Sequence, residues 1–319
     1  MSGSRQIGDG ARQTTVPGPL RRFWESDLMW SFRHTPYAVV SLTLVMVVFA
    51  VALLANWTAP HSPFDLASFN LLDSELPPMW VDGGSATFPL GTDTQGRDIL
   101  SLIIYGARLS LFVGFASVCF ALVVGVSLGL LSGYAGGWVD ALIMRTADVK
   151  LSFPAILVAL LINGVARGFL PPEYHNSIAI PVLIFSIGMS GWVHYARTVR
   201  GVVMVERKKE YVQAAHIVGR NGFQVAVLHV LPNTMSPVTV IATINLATAI
   251  LLESTLSFLG VGVPPTEPSL GTLIKVGSEY MFSGIWWMTV FPSILLVVLV
   301  LAVNLFGDWL RDALNPRLK

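Results

Sequence analysis

Few residues in this chain are equipped for covalent chemistry. The six histidines, His34, His61, His175, His194, His216 and His229, show no metal-ligand spacing. The single cysteine, Cys119, sits in an apolar run and reads as a small packing residue. There is no G-x-x-x-x-G-K-[ST] phosphate cradle, no G-x-S-x-G and no H-E-x-x-H. The chain is expected to hold no catalytic residue, no metal and no cofactor of its own, and to have no nucleic-acid partner. One acid carries weight. Glu253 follows an apolar run and reads as a water-accessible acid near the outer face, with a gate or pathway role as its candidate function. Asn163, Asn245 and Asn304 read as interhelical hydrogen-bond partners rather than substrate contacts. His194 and His229 read as interfacial or capping residues, closing the fourth span and a short helix.

The other constellation binds rather than reacts. It is "EYVQAAHIVGRNGFQVAVLHVLPN", Glu210 to Asn233. Tyr211, Ala214, Ala215 and Val218 recur at i, i+3, i+4 and i+7, and Phe223, Ala226, Val227 and Val230 repeat the pattern after a break at Gly219 to Gly222. This predicts two short helices joined by a glycine turn. Gly219 can take a positive φ and end the first. A short helix with an apolar stripe is a ligand for a groove on a partner. The same hairpin would also serve as a cover over the inner ends of the spans.

The elements that must position this hairpin are membrane spans. The chain is 53% hydrophobic and 12% charged, against about 25% charged in soluble domains, and its mean hydropathy is +0.65. Six runs approach the roughly 20 apolar residues that a span needs: Pro36–Trp57, Leu109–Ala135, Leu151–Ala166, Asn176–Val193, Leu231–Leu252 and Tyr280–Gly307. The runs are continuous and lack the alternation of a β-barrel. The fold class is all-α integral membrane with six transmembrane helices. With both termini in the cytoplasm, every Lys and Arg falls inside except Arg97, Arg108, Arg167 and Lys275. That is the positive-inside pattern, and it puts the hairpin in the cytoplasm.

Residues 1–35 form a cytoplasmic segment with no apolar core for a signal peptide. Its Arg21, Arg22, Trp24, Trp30, Phe32 and Arg33 suit an interfacial helix. A transmembrane domain over 36–308 follows, with an outer loop over 58–108 and a cytoplasmic loop over 205–233. Residues 309–319 are a cytoplasmic tail. Asp93 or Thr94 is expected to cap a helix running toward Arg108. Gly125, Gly129 and Gly133 lie on one face of the second span and predict a close helix seam, within the subunit or against a partner.

The hairpin resembles the cytoplasmic EAA loop of ABC importer permeases, of the form E-A-A, three residues, G, nine residues, I, one residue, L-P. The matching positions are Gln213, Ala214, Ala215, Gly219, His229, Leu231 and Pro232. Gln213 stands in the Glu place and His229 in the Ile place. "LGTDTQGRDILSLIIYGARLSLFVG", "GYAGGWVDALIMRTADVKLSFP", "LSFLGVGVPPTEPSLGTLI" and "NLFGDWLRDALNPRLK" resemble the C-type membrane subunit of dipeptide, oligopeptide and nickel transporters. The similarity runs from about Leu20 to the C-terminus.

The resemblance implies a type I importer permease in a bacterial cytoplasmic membrane. It implies a second homologous permease, two cytoplasmic ATPases that bind the ATP and Mg, and an extracytoplasmic solute-binding protein. The missing phosphate cradle fits such a borrowed ATPase. ATPase-coupling residues would be Tyr211, Gln213, Ala214, Ala215, Gly219, Phe223, Leu231 and Pro232. The cargo implied is peptides, with nickel chelates, glutathione or opines as alternatives. A self-contained secondary transporter would be expected to show substrate or ion groups near midplane, and few are visible. A membrane enzyme would need a catalytic constellation, and none is visible.

Overall fold

A computed structural model describes residues 27–64, 71–264 and 266–314. Among these residues the regular structure is all helical, apart from one isolated bridge between Thr92 and Asp98. Arg21, Arg22 and Trp24 of the expected interfacial helix lie outside the described residues, as do Arg317 and Lys319 of the tail. The part described is α1 (Asp27–Arg33), which leaves Trp30 exposed and stacked on His34.

Pro36 opens α2 (Pro36–Leu53) at a position where a helix has an unpaired N–H in any case. Its buried residues are the small Ala38, Ser41 and Ala52, while Val40, Met46, Val47 and Phe49 face outward. α3 (Ile99–Ala135) has 37 residues, about 55 Å of helix, well beyond the roughly 30 Å of bilayer hydrocarbon. The expected outer helix and the second span are therefore one element. Its cap is Asp98, not Asp93 or Thr94. Asp98 accepts from Leu100 N at 3.3 Å and Ser101 N at 2.9 Å. Asp93 holds the preceding turn instead, accepting from Gln95 N and Arg97 N at 2.8 Å each. Gly96 in that turn has a φ of 77°.

α4 (Gly137–Leu151) and α5 (Ala155–Phe169) have 15 residues each, about 22 Å, and meet at a 94° bend. Pro154 sits at that bend, where its lack of an N–H stops the helix continuing. α6 (His175–Glu206) runs unbroken through His194, which therefore closes nothing. Five helices among the described residues are long and apolar enough to cross a membrane. A sixth crossing requires the bent α4–α5 pair to count as one.

α3 and α6 form the most extensive helix pair, and the glycine seam lies between them within the subunit. A Cβ on Gly129 would come within 2.5 Å of Ala196 O, and one on Gly133 within 2.8 Å of Val203 Cβ. Only hydrogen at these positions lets the two backbones approach. Cys119, on the same helix, faces outward rather than into the packing.

After α6 comes the short α7 (Glu210–Ile217). The second short helix does not end at His229. It starts at Gly222, passes through a π turn at Ala226–Val230 and continues as α8 (Leu231–Phe258). Pro232 accounts for the wide turn, because its ring lacks a donor and crowds the carbonyl four residues earlier. α9 (Leu270–Tyr280) is a short helix with a Ser269–Thr272 capping box. α10 (Trp287–Ala313) begins later than expected, because the chain turns at Gly284, φ 93°. Trp287 Nε1 donates to Thr92 O at 3.0 Å and ties the long loop to α10.

Candidate functional site

α6 ends at Glu206, whose carboxylate organises the start of the hairpin. Lys209 Nζ donates to Oε1 at 2.6 Å and the Tyr211 hydroxyl donates to Oε2 at 2.6 Å. Asn233, at the foot of α8, donates from Nδ2 to the Tyr211 oxygen at 3.0 Å and to His229 O at 3.0 Å. One polar chain thus joins the end of α6, the start of α7 and the start of α8. Burial and then the Glu206 carboxylate raise the Tyr211 hydroxyl above its ordinary range. The same carboxylate raises the Lys209 ammonium.

A second anchor reaches α3. Arg207 Nη1 donates to Tyr134 O at 3.1 Å, and Gly222 lies against the Tyr134 ring. Nearby, Arg200 Nη2 donates to Asp140 Oδ2 at 2.6 Å, pinning α4 to α6. The reversal itself uses Gly219 at φ 84°, and the Asn221 side chain caps the next turn by accepting from Phe223 N at 3.2 Å.

The apolar residues of the hairpin divide by direction. Val212, Ala215, Val225 and Val230 are buried with Val199 and Val203 of α6. Ile217, Val218 and Phe223 point away, at 86%, 81% and 74% exposure. The stripe expected from periodicity is therefore not one face. Ala215 turns into the bundle, while Ala214 and Val218 turn out. Of the other predicted residues, Tyr211 belongs to the polar chain. Gln213 is exposed and donates to Lys208 O at 3.2 Å, and Leu231 and Pro232 stand at the foot of α8. Sequence reasoning missed Glu206, Asn233, Val212 and Ile217. Val212 with Ala215 is an i, i+3 pair that would have marked the inward face.

Glu253 is fully buried, contrary to the expectation of water access. The chain after α8 folds back over it. Ser257 Oγ donates to Oε1 at 2.8 Å and Ser254 Oγ contacts Oε2 at 3.3 Å. Ser110 of α3 and the Ser269 cap of α9 also reach the carboxyl group. Ser110 Oγ in turn accepts from Leu270 N at 3.2 Å. The group joins three elements and has no exposed surface. Of the asparagines, Asn163 bonds Val261 O at 2.6 Å, a loop rather than a helix.

Residues 125–319 match the family described as binding-protein-dependent transport system inner membrane component. Residues 21–78 match the N-terminal TM domain of oligopeptide transport permease C. The chain is 39% identical over 303 residues to the di/tripeptide transport system permease protein DppC of Pseudomonas aeruginosa, covering 95% of this chain and 94% of that one. It is 37% identical to the dipeptide transport system permease protein DppC of Haemophilus influenzae, covering 94% and 96%. It is 33% identical to the glutathione transport system permease protein GsiD of Pectobacterium atrosepticum, covering 97% and 94%. Among solved structures, a chain of the MetNI methionine ABC transporter in an inward-facing conformation superposes with a TM-score of 0.53. That match has 20% identity and covers 68% of this chain and 98% of that one, a likeness of fold.

Proposed function

The chain belongs to the family of binding-protein-dependent transport system inner membrane components, and from that premise we propose that it is one of two permease subunits in an ATP-driven peptide importer. The observation that carries this reading is the two-sided hairpin. One side is fastened to α3, α6 and α8, and the other presents Ile217, Val218 and Phe223 to whatever lies outside the bundle. An apolar set on a braced helix is a ligand for a groove, here on a cytoplasmic ATPase subunit.

The hairpin is also a lever. A push on α7 reaches α6 through Tyr211 and Glu206, and α8 through Tyr211 and Asn233. Both helices are long enough to carry that movement across the bilayer. ATP binding would close a pair of ATPases and draw two such hairpins together, shifting the spans between inward-facing and outward-facing states. ATP and the delivered cargo bias that equilibrium only by binding the two states unequally.

In this reading the bent α4–α5 pair makes the sixth crossing, both termini and the hairpin are cytoplasmic, and the membrane is the bacterial inner membrane. ATP and Mg bind to the ATPases. A solute-binding protein delivers cargo at the opposite face, where the segment between Thr58 and the start of α3 lies. The named functions of the relatives favour di- and tripeptides, and the glutathione relative keeps a modified tripeptide as the second reading.

The test is reconstitution of the chain with its partner permease, ATPases and binding protein in vesicles. ATP-dependent uptake of a labelled dipeptide is expected. Uptake that runs on an ion gradient without ATP would overturn the reading.

A further inference from the structure

We propose that a cleft in the bundle, bordered by α3, the α4–α5 bend, α6 and α8, binds the carbonyl and carboxylate oxygens of a peptide in transit. This rests on the importer reading above and adds the place of contact. The cavity has a volume of about 300 Å³. Ser117 and Tyr195, 1% and 0% exposed, both line it, as does Asn245.

The Ser117 hydroxyl and the Tyr195 O–H have no hydrogen-bond acceptor among the described residues. The Asn245 amide approaches the Tyr195 oxygen as a hydrogen-bond donor, tying α8 to α6. Buried polar atoms are nearly always paired, so two open hydroxyls around one cavity point to a missing ligand. With Asn245 they come from three helices. Ser117 lies midway along α3 and Asn245 midway along α8, so the site sits about halfway along both helices.

The chemistry of the lining selects the ligand. Tyr195 O–H, Ser117 O–H and Asn245 N–H are all able to donate. Lys150, at the bend, faces the same space and donates to Ser190 O, leaving two of its ammonium hydrogens for other acceptors. Among the described residues no Asp or Glu lines the cleft. A donor-rich, cationic pocket with apolar walls suits backbone carbonyls and a terminal carboxylate, and it tolerates varied side chains.

The experiment uses the complete reconstituted transporter and reads dipeptide moved per ATP hydrolysed. The conservative variants Tyr195→Phe and Ser117→Ala, and Asn245→Leu, are each compared with the unaltered chain. A fivefold or greater fall in that ratio for Tyr195→Phe and Asn245→Leu is expected. A second arm compares free-acid dialanine with its C-terminal amide. Lys150→Gln should shrink the preference for the acid, and because the same binding protein delivers both, its own preference cancels. Unchanged ratios and an unchanged acid preference would mean that the cavity holds only water, and would overturn the inference. Failure of the unaltered complex to move dipeptide at all would instead overturn the importer reading.

Discussion

The Tyr211 hydroxyl donates a 2.6 Å hydrogen bond to the carboxylate of Glu206, and the two residues belong to different helices. Asn233 completes the link by donating to the same Tyr211 oxygen. A single phenol thus connects α7 to both of the long helices that flank it. A hydrogen bond to a charged group contributes about 1.5–3 kcal/mol when well shielded. Tyr211 is 37% exposed, so about 1 kcal/mol is the better figure. Tyr211→Phe is expected to lower uptake per ATP by about fivefold, as 1 kcal/mol implies. Vesicle uptake with parallel phosphate release measures it. An unaltered ratio would remove Tyr211 from the transmission path.

The same hydroxyl predicts a pH dependence. Its raised pKa means that folding favours the protonated phenol. The stability it adds is complete below the ordinary tyrosine value of about 10 and is lost as pH rises through the raised value. Lys209, raised by the same carboxylate, acts with the same sign. The difference in Tm between the unaltered chain and Tyr211→Phe should be flat from about pH 6 to about pH 9 and close in stronger base. A difference that shrinks between about pH 6 and about pH 8 would show that another group controls it.

Gly219 turns the hairpin at φ 84°, and no atom lies within 4 Å of where its Cβ would be. Among the described residues the requirement is therefore conformational and not a matter of space. Gly219→Val should cost about 1–2 kcal/mol and loosen coupling, while Gly219→Asn, which tolerates the left-handed region, should cost less. Equal behaviour of the two variants in ATP-driven uptake would contradict this.

Gly129 is the opposite case. Its φ is ordinary, but a side chain there meets the α6 backbone at Ala196. Gly129→Leu is expected to separate α3 from α6 and lower Tm in detergent by several degrees, with loss of assembled complex. Gly164, with open space around it, should accept Ala with no such loss.

Much of this was legible in the sequence, because hydropathy and glycine spacing are local signals. The hairpin, the Gly219 turn and the small-residue face of α3 all follow from spacing. What was not legible depended on chain segments meeting from afar. Asp93 has every property of a helix cap, but Gly96 and Arg97 draw it into a turn and Asp98 takes the role. Glu253 reads as exposed from its depth along α8, but Ser257, the Ser269 cap of α9 and Ser110 of α3 close over it. Apolar periodicity also could not say which side of α7 faces the bundle, since both sides carry aliphatic residues. Packing against Val199 and Val203 decides that.

The central claim is that the outward side of the hairpin docks on an ATPase. It is tested most directly by crosslinking in a Cys119→Ser background, with single cysteines at Val218, Phe223 or Ala215. Val218→Cys and Phe223→Cys should each crosslink to the ATPase subunit in the assembled transporter, and the inward-facing Ala215→Cys should not. Crosslinks from Val218 and Phe223 only to this chain's own helices would contradict the account.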